Sequence, residues 1–168
     1  MAIISSLEKN EINEVAKEVY KKFEKKTGGV PEWVKVMAHS PSILKEFTEL
    51  FGSVMKDGEI KLLLKWKMAY TVSKMLKCPF CVDVTKKMIK KLGASKKVLK
   101  EIEKTKEKDK KILDLVKDIT DDANVDQVEA FKNLRENYSE AQIVEIVSVI
   151  GLFNYINRFN NTLGVLPE

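Results

Sequence analysis

A chain of 168 residues with 44% hydrophobic content and only two cysteines can bury about 68–70% of the surface its unfolded form exposes, which predicts a single domain over residues 1–168 with no need of disulfide staples. No stretch approaches 18 uncharged apolar residues, and Met1 to Lys9 lacks the apolar run of a signal peptide, so the chain argues against a membrane partner and is expected in the reducing cytoplasm. The net charge of +5 is uneven, because from Lys86 to Lys111 twelve lysines stand against Glu101, Glu103, Glu107 and Asp109. That block reads either as the solvated face of lysine-rich helices or as positive potential placed beside the cysteines. With only Arg135 and Arg158 to make bidentate phosphate contacts, no nucleic-acid partner is expected.

The periodicity is helical nearly throughout and predicts an all-α protein. Ser5 and Glu8 form a capping-box pattern that would open a first helix carrying Ile12, Val15, Ala16, Val19 and Phe23, ended by Gly28-Gly29. Pro31 starts a short helix with Trp33, Val34 and Met37. Ser40-Pro41 then provides an N-cap and an N1 proline for a helix expected to bury Ile43, Leu44, Phe47, Leu50, Phe51 and Val54 as far as Asp57-Gly58. The run from Ile60 to about Lys77 is apolar at Leu63, Leu64, Met68, Val72 and Met75. Beyond the cysteines, Val82, Met88, Ile89 and Leu92 define a helix that stops at Gly93, and Ser95 caps a piece with Val98, Leu99 and Ile102. Further helices carry Ile112, Leu115, Val116 and Ile119, then Val128, Phe131 and Leu134, with a turn at Asp121 to Asn124 between them. Ser139 and Gln142 form a second capping box for a long last helix, apolar on more than one face near Val144 to Phe153, as suits a core helix or one shared between subunits.

Cys78-Pro79-Phe80-Cys81 lies at the junction of two of these helices. Two intervening residues put both thiols on one side of a helical turn, and a helix N-terminus favours a thiolate, lowering a thiol pKa from about 8.5 into a range of roughly 3.5 to 7.5. Pro79 fits the first turn, where its missing N–H costs nothing. A structural zinc site needs four ligands, and the chain offers two cysteines and one histidine, His39, so neither a metal nor another cofactor is expected. A thioredoxin-type fold would need a strand ahead of the motif, where the sequence is helical.

Several segments together resemble the alkylhydroperoxidase-D-like or carboxymuconolactone-decarboxylase family, in particular its peroxidase-related branch. They are Gly28-Gly29-Val30-Pro31, His39-Ser40-Pro41, Cys78 through Asp83, Phe153-Asn154-Tyr155-Ile156-Asn157-Arg158 and Leu163-Gly164-Val165. The resemblance implies a compact multi-helix domain with its redox C-x-x-C at the N-terminus of a central helix, and assembly as a homo-oligomer. It also implies reduction of hydroperoxides by the cysteine pair, with electrons returned by a dithiol partner. By that analogy Cys81 attacks the peroxide and Cys78 is the more accessible resolving thiol. The family pattern also calls for a glutamate twelve residues before the first cysteine and a histidine four after the second, but Trp66 and Thr85 stand there. Tryptophan accepts no proton and threonine polarises one weakly. Asp83, Glu59 and His39 are the other groups able to move a proton, and none has a sequence position that commits it to the thiols.

Three functions follow as expectations. The first is a thiol-dependent peroxidase acting through Cys81 and Cys78. The second is a thiol–disulfide exchange protein taking a disulfide substrate, which needs no peroxide-specific base. The third is a homo-oligomeric binding or scaffold protein that has lost catalysis. Lactone or decarboxylation chemistry has no arginine cluster or carboxylate dyad to support it.

Overall fold

A computed structural model describes residues 3–93, 107–124 and 127–167. Among them are eight helices and no strand, as the periodicity predicts: α1 Glu14–Thr27, α2 Glu32–Met37, α3 Pro41–Val54, α4 Leu62–Met75, α5 Pro79–Lys91, α6 Glu107–Asp121, α7 Gln127–Arg135 and α8 Glu140–Leu163. The expected Ser95-capped piece, and residues 94–106 of the lysine block, lie outside the described residues. No described helix is long and apolar enough to cross a membrane. The chain resolves into two compact units, one made of Met1–Ser53 with Phe159–Glu168, the other of Val54–Arg158.

In the first unit, α1 begins later than the Ser5–Glu8 pattern predicts. Asn13 is the N-cap, its side chain accepting the Ala16 N–H at 3.0 Å. Residues ahead of it are drawn into tertiary bonds instead: Leu7 N–H donates to the Lys35 carbonyl at 3.3 Å, the Ser6 hydroxyl donates to Glu32, and Glu8 pairs with Lys35 at 2.7 Å. Gly28, at φ 80°, closes α1 in the left-handed conformation that suits glycine. Trp33 stands edge-on to Phe23 and Phe47, with centroids 5.7 and 5.5 Å away, and ties α1, α2 and α3 together. Two expectations for α3 fail. Ile43 and Leu50 are 50% and 54% exposed, because they lie at the margin of the buried side that Leu44 and Phe47 define.

Tyr20 is almost wholly buried and donates its hydroxyl to the Leu7 carbonyl at 2.7 Å. Burial, and then Glu8, Glu32 and Glu11, push its phenol up to about 12. A folded pKa above the unfolded value of about 10 means that this contribution is complete below that pH and is lost as pH climbs toward about 12. Tyr20→Phe is expected to cost about 1 kcal/mol near neutral pH and to flatten the alkaline decline in stability. Urea unfolding across that range checks it, and an unchanged alkaline slope refutes it.

In the second unit, α4 packs against α5 and α6, and α6 against α7. Met68, Val72, Ile89, Ile112, Val116, Ile146, Val149 and Ile150 are fully buried. Both halves of the second capping box form: the Ser139 hydroxyl accepts the Gln142 N–H at 3.2 Å, and the Gln142 side chain accepts the Ser139 N–H at 3.0 Å. Val128, expected to pack from α7, is 79% exposed.

The least expected feature of this core is Lys65, which has no exposed surface. Its ammonium donates to the carbonyls of Val54 and Lys56, each at 2.7 Å, and to Glu145 Oε1. Glu145 Oε2 accepts the Ile60 N–H at 2.7 Å. All three ammonium protons and both carboxylate oxygens are thus engaged, and residues 54–60 are clasped between α4 and α8. Gly58 leaves room for the clasp, since a Cβ there would lie 2.6 Å from Glu145 Oε1.

Candidate functional site

The site is built by the turn between α4 and α5. Helix α4 ends in a Schellman arrangement: Lys77 N–H donates to the Lys74 carbonyl at 3.2 Å and Cys78 N–H to the Ser73 carbonyl at 3.1 Å. Such a turn needs a left-handed residue, and Lys77 provides it at φ 52°. A non-glycine residue there costs roughly 1 kcal/mol.

The next residue, Cys78, is the N-cap of α5 (φ −89°, ψ 106°), and Pro79 occupies the first turn. The Cys78 sulfur accepts the Cys81 N–H at 3.4 Å, and the two sulfurs share a hydrogen bond of 2.8 Å. Both are free thiols. The thiol that the resemblance makes the more accessible is the more deeply buried: Cys78 is 0% exposed and Cys81 4%. The capping geometry turns the Cys78 side chain back over the helix end. The hydrogen bond from the Cys81 thiol holds the Cys78 pKa below the ordinary thiol value, helped by the Cys81 and Phe80 backbone N–H groups, while burial works in the opposite direction.

The two positions where the family pattern puts its acid–base pair are structural. Trp66 is buried and meets Phe153 edge-on, with ring centroids 5.9 Å apart. The buried Thr85 hydroxyl lies 2.7 Å from the Cys81 carbonyl and 3.1 Å from that of Val82, so its proton is directed at backbone. Asp83 pairs with Lys87 one turn along, at 2.7 Å. Glu59 is exposed. His39 belongs to the other compact unit, where its Nε2 hydrogen-bonds the Ser5 carbonyl at 2.9 Å. Among the described residues no three His, Cys, Asp or Glu side chains are grouped to hold a metal ion. Sequence reasoning missed Lys77, whose signal was a helical run reaching Cys78 without a glycine, and Lys65, which had no local signal.

The described residues are helical throughout their regular structure, and the resemblance to the alkylhydroperoxidase-D-like proteins is borne out in the fold. No protein-family model matches the chain and no curated protein does. Among solved structures, it superposes on the alkylhydroperoxidase AhpD core of an uncharacterized peroxidase-related protein from Ralstonia eutropha JMP134 with a TM-score of 0.90, at 18% identity, over 99% of this chain and 92% of that one. An uncharacterized peroxidase-related protein from Silicibacter sp. TM1040 gives 0.89, at 18% identity and the same two coverages, 99% and 92%. The debrominase Bmp8, as a cysteine-to-alanine variant in complex with 2,3,4-tribromopyrrole, gives 0.80, at 19% identity, over 100% of this chain and 92% of that one.

Proposed function

We propose that this chain is a dithiol oxidoreductase that reduces a small hydroperoxide through Cys78 and Cys81. The observation that carries this reading is the pairing of the two thiols at the start of α5, with sulfurs 2.8 Å apart and the Cys81 N–H donating to the Cys78 sulfur. A thiolate takes the terminal peroxide oxygen, the O–O bond breaks, and the alkoxide leaves with a proton from water. The resulting sulfenic acid is attacked by the other thiol, water departs, and a disulfide remains. The dithiol thus supplies both electrons, and a dithiol partner returns them by exchange. Burial of both sulfurs favours a small substrate. Without the glutamate and histidine of the family pattern, the step is expected to run about 10²–10⁴ slower than with a positioned acid–base group. The reducing cytoplasm suits free thiols. A homo-oligomer fits Val144, Val147 and Tyr155, which α8 leaves exposed.

Thiol–disulfide exchange is the second reading, favoured by the directing of Thr85 to backbone, since exchange needs only a thiolate. The shared fold also makes a brominated pyrrole worth offering, because a dithiol can supply two electrons to a carbon–bromine bond. The test is the rate of thiol loss when reduced protein meets an organic hydroperoxide near pH 7, with the Cys78→Ser/Cys81→Ser double variant as background. Loss faster than that of a small free thiol, ending in a Cys78–Cys81 disulfide, is expected. Loss no faster than the free thiol overturns the peroxidase reading and leaves exchange or a non-catalytic oligomer.

A further inference from the structure

We infer that Cys78 is the attacking nucleophile and Cys81 the resolving thiol, the reverse of the order that the family resemblance implies. This rests on the dithiol reading above and concerns which sulfur acts first.

The donors converge on one sulfur. Cys78 is the N-cap, so the N–H groups of the first turn of α5 are aimed at its side chain, with that of Cys81 at 3.4 Å. Partial positive charge at a helix start favours an anion at the capping position. Once Cys78 has lost its proton, the Cys81 thiol at 2.8 Å is the donor to it. A charge-assisted hydrogen bond of that kind is about twice as strong as a neutral one. The sulfur–sulfur contact would serve an anion on either cysteine, whereas the Cys81 N–H is aimed at the Cys78 sulfur.

The residues at the positions that the family pattern directs toward the second cysteine no longer serve it. Trp66 has no acid or base to offer, and Thr85 spends its hydroxyl on the Cys81 and Val82 carbonyls. With the relay replaced by core residues, the capping geometry distinguishes the two thiols in favour of Cys78. The sequence of bonds is then determined. The Cys78 thiolate attacks the terminal peroxide oxygen and becomes the sulfenic acid as the O–O bond breaks. The Cys81 thiol, already in contact, attacks the Cys78 sulfur, its proton leaves with the departing hydroxide as water, and the S–S bond closes.

The test uses full-length Cys81→Ser and Cys78→Ser. Both variants keep the cap: serine is a favoured N-cap at 78, and at 81 it retains the backbone N–H and a hydroxyl donor. Iodoacetamide alkylation is followed against pH, because the midpoint reports the thiol pKa while restricted reagent access scales only the plateau. The thiol left in Cys81→Ser is expected to titrate below the ordinary value of about 8.5, and that left in Cys78→Ser at or above it. Cys81→Ala, which lacks the side-chain donor, is expected to titrate higher than Cys81→Ser. With hydroperoxide and dimedone, the sulfenic acid adduct is expected in larger yield on residue 78 of Cys81→Ser than on residue 81 of Cys78→Ser. A lower midpoint or a larger adduct yield at Cys81 overturns the order alone. Two midpoints at the free-thiol value with no adduct in either variant overturn both the order and the dithiol reading.

Discussion

Lys65→Ala is expected to lower the free energy of unfolding by about 3–5 kcal/mol, because it breaks a buried ion pair from one side. The lysine has no exposed surface, and its loss strands the carbonyls of Val54 and Lys56 along with the Glu145 carboxylate. Glu145→Ala should cost at least as much, since it leaves the fully buried Lys65 ammonium without its counter-charge, whereas water partly reaches the Glu145 side chain, 17% exposed, when Lys65 is the one removed. Gly58→Ala presses a methyl group against Glu145 Oε1, and its penalty should shrink in the Lys65→Ala background, where the carboxylate is free to move. Urea unfolding of the single and double variants measures each effect. A loss under about 1 kcal/mol for Lys65→Ala would show that the clasp does not hold the 54–60 segment.

Trp66→Ala is expected to cost about 3–5 kcal/mol, as removal of a large buried aromatic side chain generally does. Trp66 is 5% exposed and packs edge-on against Phe153 of α8, so its indole fills space that alanine leaves empty. Trp66→Glu, which restores the carboxylate of the family pattern, should be no better tolerated and should not quicken thiol oxidation. A carboxylate in that packed setting is desolvated before it can serve as a base. Thermal melts of both variants, with the hydroperoxide assay on Trp66→Glu, provide the check. A stable Trp66→Glu protein that oxidises faster would sink the view that position 66 has become core.

The legible parts of the fold were those in which a local pattern has a local cause. Ser139 with Gln142 starts a helix where the sequence places it, because its two capping bonds close within three residues, and α3 begins at Pro41 as expected. Ser5 with Glu8 has the same pattern and starts no helix. There the Leu7 N–H and carbonyl are claimed by Lys35 and Tyr20, and Asn13 wins as the cap. Hydrophobicity alone puts Ile43 and Leu50 on the buried side of α3, and it cannot distinguish a wide apolar stripe from one whose margins face solvent. At the site, the spacing of Cys78 and Cys81 was legible, but which thiol lies deeper was not, since that depends on how the cap folds back. Lys65 was invisible for another reason: its carboxylate partner stands 80 residues away.

The turn at Lys77 has no slack. Its amide and that of Cys78 close the end of α4, while the sulfur of Cys78 caps the start of α5, so one residue completes two helices. Inserting or deleting a single residue between Ser73 and Cys81 would rotate α5 by about 100° about its axis, or detach the cap from the helix it serves. Loops ordinarily absorb length changes. This one cannot without parting the thiols, and any functional relative of this chain must keep its length here whatever side chains it exchanges.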